Sequence, residues 1–414
     1  MSWINCAKTG AKWMLVIGLL SNSVAQVANA AVQEITAVFR PDSANPQNNK
    51  FENTTPQSGF CPGHIPQRCK DMNIFSIRNS DIVFRSNRPI LANHESIREG
   101  AMFKVPSYWR QVDVINNTTR EVETVEVRIA GVGSRTDIAG VSFGEAWVRG
   151  SAGWLYAPAP CQTTGYATGN TRSLLWHWIV PEGAGACAMQ AVKDIPQTAH
   201  VYLEYSYELR TPNPLGMSAG QYTGSTLYSV GPELDFDFGD VMIPSQSELV
   251  FNFTLDVQHT LKVDVPPGGN RIELEPQGGW QAWLTHGRKP TRLFRDQTFN
   301  ISASSRFKML LECQYSQDGN NCSLYEPMSR HTVPLNLSVS LPHGLTDAGG
   351  QPVTRRPLRR DGSGTELFQP ALYVDRKPGT LHFEIPPTEV DEMIRPGQAT
   401  QYSGSVTVIW DSQV

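Results

Sequence analysis

The sequence has few of the features that mark metal proteins, membrane proteins or nucleic-acid-binding proteins. It contains no Cys-x-x-Cys pair and no His or Cys residues at zinc spacing, so we predict neither a metal site nor a cofactor. No stretch approaches the roughly 20 consecutive apolar residues that a membrane-spanning helix needs. Positive charge is not in excess either. The formal net charge of the 414 residues is -4, which argues against nucleic acid as a partner.

Residues 1–30 have the pattern of a secretory signal peptide. Lys8 and Lys12 precede a short apolar run, and Ala28 and Ala30 then stand at the spacing of a cleavage site. We therefore expect an exported protein whose mature chain begins near Ala31.

The cysteines agree with an exported protein. Of the seven, Cys6 lies in the predicted signal peptide, and an even number remains, which favours disulfides over metal ligands. Six cysteines allow fifteen pairings, and we favour the sequential one because they form three well-separated couples. The couples are Cys61 with Cys69, Cys161 with Cys187, and Cys313 with Cys322.

Short apolar and polar alternations, separated by turn residues, run through the rest of the chain. Residues 124–129 and 249–255 are examples, and convincing helical periodicity is scarce. Many short strands without a βαβ rhythm predict an all-β protein built of sandwiches. The roughly 380 residues after the signal peptide are enough for two domains.

A short internal echo helps to place those two domains. The stretch AGQYTGS at residues 219–225 resembles ATQYSGS at residues 399–405, and each leads into an apolar strand-like segment. Chance is one explanation. The other is two sandwiches that each carry this strand late in their sequence. Because a fresh series of strands starts at Leu261, we divide the mature chain into residues 31–257 and 258–414.

Two motifs carry the letters of catalytic or metal sites. Residues 216–220 fit G-x-S-x-G, but Pro214 precedes them and a strand follows, whereas a nucleophile elbow needs a strand, a turn and a helix. Asp235, Asp237 and Asp240 could hold Ca²⁺, although they lack the spacing of a calcium loop, and a polar strand edge is favoured. We therefore predict a protein that is not an enzyme, with a secreted carbohydrate-active enzyme as the alternative.

An aromatic cluster in the first domain is the candidate binding face. Sugar sites stack a flat ring on the sugar and fix its hydroxyls with amide and guanidinium groups. Trp176 and Trp178 share one strand face, so a place in the core is the competing interpretation. The candidate residues here are Trp154, Tyr166, Arg172, Trp176 and Trp178.

The end of the chain carries a family resemblance. Residues 401–410, QYSGSVTVIW, resemble the closing strand of chaperone–usher pilus subunits. Residues 309–319, MLLECQYSQDG, resemble the cysteine-bearing strand of the pilin domain in CblD-like pilus initiators and colonisation-factor tip adhesins. Residues 278–280 and 378–379 stand where that family has turns.

The resemblance implies two Ig-like β-sandwich domains, an N-terminal adhesin domain and a C-terminal pilin domain that is incomplete by one strand. It implies partners as well: a periplasmic pilus chaperone, an outer-membrane usher, and an adjacent pilin subunit that donates a strand. The groove would be lined by Tyr402, Val406, Val408 and Trp410. Arg210 is added to the receptor-binding candidates, because colonisation-factor adhesins use arginines of the adhesin domain.

The implied function is that of a fimbrial tip adhesin or pilus-initiating minor subunit. It would be exported through the periplasm to the fimbrium at the cell surface, where it would bind a host receptor, with a glycan as the first candidate. A structural subunit of the shaft is a further alternative. The apolar segment Ala31–Phe39 is either a donor extension or the first strand of the adhesin domain, and we favour the latter.

Overall fold

The computed structural model describes residues 30–395 and 401–412, and these residues are mostly β-strand. The predicted signal peptide, apart from residue 30, lies outside the described residues. Within the described ranges, no helix is long and apolar enough to cross a membrane.

Residues up to Val257 form fifteen strands and four short helices. The strands are β1 (Ala31–Phe39), β2 (Glu52–Asn53), β3 (Phe75–Asn79), β4 (Phe84–Ser86), β5 (Ala101–Phe103), β6 (Arg110–Asn116), β7 (Val122–Ala139), β8 (Gln162–Gly169), β9 (Ser173–Ile179), β10 (Cys187–Met189), β11 (Gln197–His200), β12 (Leu203–Arg210), β13 (Gly220–Ser229), β14 (Met242–Pro244) and β15 (Glu248–Val257). The helices are α1 (Phe60–His64), α2 (Pro66–Asp71), α3 (Phe143–Ala146) and α4 (Ala152–Leu155).

Most of these strands join one curled sheet, in the order β14-β4-β11-β7-β6-β13-β15-β1-β2. The long strand β7 connects its parts, because it pairs with β6 at residues 122–127, with β12 at residues 126–133, with β9 at residues 131–137 and with β11 at residues 136–139. In β15, every second residue from Leu249 to Val257 is buried, so the predicted alternation directs those side chains into the core.

Strand β1 belongs to this sheet. It lies parallel to β15 along its whole length, with Ala31 opposite Leu249 and Phe39 opposite Val257. Ile35 and Phe39 are buried in the core. Of the two alternatives for this segment, the structure therefore has the first strand of the chain's own N-terminal sheet.

Residues from Leu261 onward form the second part of the structure. Its strands are β16 (Leu261–Asp264), β17 (Glu275–Pro276), β18 (Leu293–Ala303), β19 (Lys308–Cys313), β20 (Cys322–Glu326), β21 (His331–Ser340), β22 (Leu345–Asp347), β23 (Arg356–Pro357), β24 (Phe368–Pro370), β25 (Val374–Ile385) and β26 (Val406–Asp411). Its helices are α5 (Gln281–His286) and α6 (Pro387–Met393).

The second part has a main sheet in the order β16-β18-β25-β21-β20, with β19 and β26 forming a separate pair opposite it. A second hydrophobic core fills the space between them, and it shares no residue with the first. The chosen division at residues 257 and 258 falls in the short gap between β15 and β16.

The turn expected at Pro378 and Gly379 is not there. Both residues lie within β25, opposite Asn300 and Phe299 of β18. A Cβ at position 379 would lie 2.4 Å from the ring of Phe299, so the close approach of that ring requires glycine.

Disulfides connect neighbouring elements in both parts. They join Cys61 to Cys69, Cys161 to Cys187, and Cys313 to Cys322. The third joins β19 to β20 at the end of β19 that lies opposite Val406. It therefore holds in place β19, the strand with which β26 pairs.

The two parts touch through polar contacts. Arg306 forms an ion pair with Glu121 (3.3 Å), and the ring of His259 lies 2.9 Å from the carbonyl oxygen of Met217. The backbone N–H of Tyr373 also donates to Asn49 (3.4 Å). No flexible linker separates the two cores, since only residues 258–260 lie between β15 and β16.

Candidate functional site

Among the described strands, β26 has a partner strand on one edge only. It pairs antiparallel with β19, so that Val406 lies opposite Cys313 and Asp411 opposite Lys308. Among the described residues, no strand pairs with its other edge. A row of backbone N–H and C=O groups on an unpaired edge is a template for another strand.

The open edge of β26 borders a long groove in the second core. Its volume is about 870 Å³. Val406, Val408 and Trp410 face into it from β26, as the alternation of the tail requires. All three are only partly buried, although they pack against the core.

The wall of the groove opposite β26 is apolar. Phe299 of β18 and Leu381, Phe383 and Ile385 of β25 line it, and each is at least nine-tenths buried. The ring of Trp410 packs on that of Phe299 at a centroid distance of 5.0 Å. The groove between the main sheet and β26 therefore has an apolar floor, whereas polar residues such as Asn270, Glu273 and Gln297 also line it.

Tyr402 lines the groove at the end where the chain enters β26. Its hydroxyl lies 2.8 Å from Nδ1 of His331. It stands outside the strand, which begins at Val406, whereas the resemblance implies a closing strand over residues 401–410. The nearby Ser403 forms an isolated bridge with Tyr325 instead.

The side of the groove next to β16 and β17 is incomplete. Strand β16 pairs with the end of β18 at residues 300–303, and β17 pairs with its start at residues 293–294. The chain between β16 and β17 leaves the edge of β18, and its residues 269–274 line the groove. A strand placed in the groove would thus lie between this segment and the free edge of β26.

The tryptophans of the predicted receptor face are core residues. Trp154, Trp176 and Trp178 are each 1 % exposed or less, so the prediction that they face a ligand is wrong. Their rings pack around Phe103 and on one another, with Trp176 and Trp178 at 4.4 Å. The indole N–H of Trp178 donates to the carbonyl oxygen of Trp154 (2.7 Å), an internal partner.

The other three receptor candidates lie at the surface and share no partner. Tyr166 is half-buried and stacks on His64 at 4.6 Å, and Arg172 is exposed. Arg210 is exposed too, with its guanidinium 3.8 Å from the centre of the Trp109 ring. The structure does not bring these three together into one site.

The G-x-S-x-G match around Ser218 lies in a loop before β13. Ser218 stands in a loop between a 3₁₀ turn and β13, and its backbone N–H donates to Glu121 (2.8 Å). The loop therefore lacks the strand–turn–helix geometry of a nucleophile elbow.

The clustered aspartates are used in ion pairs. Asp237 and Asp240 both bind Arg98, at 2.8 and 2.7 Å, while Asp235 binds Arg110 at 2.8 Å. In the described part of the chain, no group of three or more His, Cys, Asp or Glu residues is arranged to hold a metal ion.

Two parts of the groove were not predicted from the sequence. They are the wall opposite β26 and Trp280, which lines the groove beside α5. The alternation of Leu381, Phe383 and Ile385 in β25 signals an inward face. Nothing in that alternation distinguishes a face covered by the chain itself from a face that stays open.

No family model matches this sequence, and no curated protein matches it either. Solved structures do match. One is CfaE, the adhesive subunit of CFA/I fimbria of enterotoxigenic Escherichia coli, at 13% identity, with 92% of each chain covered and a TM-score of 0.24. Another is a chaperone–tip adhesin complex of CFA/I fimbriae, at 12% identity, covering 93% of this chain and 97% of that one, with a TM-score of 0.24.

A third match is the CsuC–CsuE chaperone–tip adhesin pre-assembly complex from archaic chaperone–usher Csu pili of Acinetobacter baumannii. Its identity to this chain is 7%, it covers 92% of this chain and 98% of that one, and its TM-score is 0.22.

Proposed function

We propose that this protein is the tip adhesin, or pilus-initiating minor subunit, of a chaperone–usher fimbria. The observation that supports this function is the groove beside β26. An apolar slot with one free strand edge is the geometry that β-strand addition uses, with main-chain hydrogen bonds for affinity and pockets for alternate side chains. A chaperone strand would fill it first, and the strand of an adjacent pilin subunit would replace it later.

The place of β1 supports the tip over the shaft. A shaft subunit must offer an N-terminal extension as well as accept one. Here the corresponding segment lies in the sheet of its own N-terminal domain, parallel to β15, with Ile35 and Phe39 buried. In this proposal the segment Ala31–Phe39 stays in its own sheet and is not donated to another subunit, which favours a place at the end of the assembly.

The receptor site belongs, in this proposal, to the N-terminal domain. Its tryptophans are structural, so the surface residues Tyr166, Arg172 and Arg210 remain as candidates for receptor contact. Whether the receptor is a glycan is tested by binding of the full chain, in complex with its chaperone, to a glycan array. Binding that survives alanine at all three positions would refute their role.

The strand-accepting function is tested on the full mature chain. Produced alone, it should aggregate or melt at a lower temperature than in the presence of its chaperone or of a synthetic peptide of the donor strand. Stabilisation by the peptide should grow with its concentration, since a ligand that binds only the folded state stabilises by mass action. A monomeric chain whose melting temperature responds to neither partner would refute the proposal.

A further inference from the structure

The connection between β16 and β18 is long and unusually poor in buried residues. Of residues 265–292, only Pro290 is buried, although the segment contains several large apolar side chains. Of its apolar residues, Ile272, Leu274 and Trp280 pack against the second core while they are only partly buried. The apolar members are Val265, Ile272, Leu274, Trp280, Trp283 and Leu284.

These apolar residues divide into two groups. Val265, Ile272, Leu274 and Trp280 line the groove, so a strand in the groove would cover them. Trp283 and Leu284, on α5, do not line it.

Helix α5 has no buried residue, and Leu284 is 72% exposed. We call Trp280, Trp283 and Leu284 the α5 collar.

The α5 collar is continuous with the groove. Trp280 is a wall of the groove and also the residue at the start of α5, and its ring lies 5.8 Å from that of Trp283. At the same end, Met393, the last residue of α6, and Ile394 after it line the groove, and Lys289 after α5 binds Asp391 of α6 (3.5 Å). The apolar surface therefore passes over the groove's rim and continues outside it.

We propose that the α5 collar is a second contact for the periplasmic chaperone, beside the groove that takes the chaperone's strand. This inference rests on the proposed function. A chaperone's strand is the edge of a folded sheet, and neighbouring strands of a sheet lie only about 4.8 Å apart. Insertion of that strand brings the chaperone's body against the groove's rim, where the α5 collar stands.

The adjacent pilin subunit is a poorer fit to the α5 collar. Its donor strand is a flexible extension, so it can fill the groove while the body of the subunit stays away. Charge adds to the argument. Arg288 is exposed just beyond Leu284, so the chaperone surface that covers the α5 collar should be apolar with an acidic group at that border.

The test compares two partners on the full mature chain. One is the co-expressed chaperone, and the other is a synthetic peptide of the adjacent subunit's donor strand. Leu284→Ser should shorten the lifetime of the chaperone complex by roughly tenfold, the loss expected when an apolar anchor is removed from an interface. It should leave binding of the peptide unchanged, because Leu284 does not line the groove. Leu91→Ser, at a leucine that is 60% exposed in the N-terminal domain, is the matched control and should change neither.

Three results would overturn the role of the α5 collar. They are a chaperone complex that Leu284→Ser leaves unchanged, an equal loss of chaperone and peptide binding, and a loss of binding to the folded adjacent subunit without one to the chaperone. A wild-type chain that binds neither chaperone nor peptide has a different meaning, since it would refute the strand-accepting function itself.

Discussion

The replacement of Val408 by aspartate puts a carboxyl group on the groove side of β26. In the chain by itself this position is only partly buried, so the carboxylate stays hydrated and the free chain loses little stability. A strand in the groove would bury it without a partner. Keeping a carboxyl group neutral at pH 7, when its usual pKa is near 3.9, costs about 4 kcal/mol. The lost valine contact adds about 1–2 kcal/mol.

The expected result is a loss of strand binding of at least about 1,000-fold at pH 7. The assay is titration of the full mature chain with the donor-strand peptide, together with co-purification of the chaperone. The matched control is Thr407→Asp, one residue away on β26, where the side chain is exposed and points away from the groove. Thr407→Asp should bind both partners as the wild type does.

The pH dependence of the defect provides a second signature. At pH 5 the cost of neutralising the carboxyl group falls to about 1.5 kcal/mol, so roughly 100-fold of the lost affinity should return. Equal effects of Val408→Asp and Thr407→Asp would show that β26 does not line a strand-binding groove. A defect at Val408 that is the same at pH 5 and pH 7 would show that burial of charge is not its cause.

Three further predictions concern stability. Replacing Cys313 and Cys322 together by serine should lower the free energy of unfolding of the second domain by about 2.6 kcal/mol, from the nine-residue separation of the pair, as measured by urea denaturation in the presence of the donor peptide. Burial lowers the pKa of His177 and of His200 to about 3, so each contributes stability that is complete above pH 6.5 and is lost as the pH falls toward 3. The loss should reach about 3 kcal/mol per histidine at pH 4, and it is partly offset by Glu204, because burial raises the pKa of that carboxyl group. Urea denaturation at pH 7 and at pH 4 would measure the loss. Equal stability at the two pH values would contradict the burial of the two rings. Trp176→Ala should cost about 3–5 kcal/mol, as for a large side chain removed from a core, and a variant that loses receptor binding while keeping its melting temperature would contradict the core position.

The tail shows what the sequence can predict about the site. Its period-two alternation correctly indicates that Val406, Val408 and Trp410 share a face, because the side chains of a strand alternate strictly. Alternation also indicates that this face is apolar. It does not indicate where the strand begins, since Tyr402 continues the pattern while Ser403 pairs with a different strand, at Tyr325.

The tryptophans show the opposite case. Trp176 and Trp178 also alternate, and the same pattern is compatible with a ligand face and with a core face. Which one applies depends on Phe103, far away in sequence, whose ring lies 4.6 Å from that of Trp176. Contacts of this range follow from the fold, so composition and spacing alone favoured the wrong residues for receptor binding.

The internal echo shows that similar residues can lead into strands with different pairing. In the first domain the echoed pattern enters β13, which is paired on both edges, by β15 and by β6. In the second domain it leads to β26, which is paired on one edge only among the described residues. The two strands follow similar letters, and Tyr222 of the first echo is fully buried whereas Tyr402 of the second is only partly so. Whether a strand is paired on both edges therefore depends on which other strands lie beside it. In the second domain, we propose that the additional neighbouring strand comes from another protein.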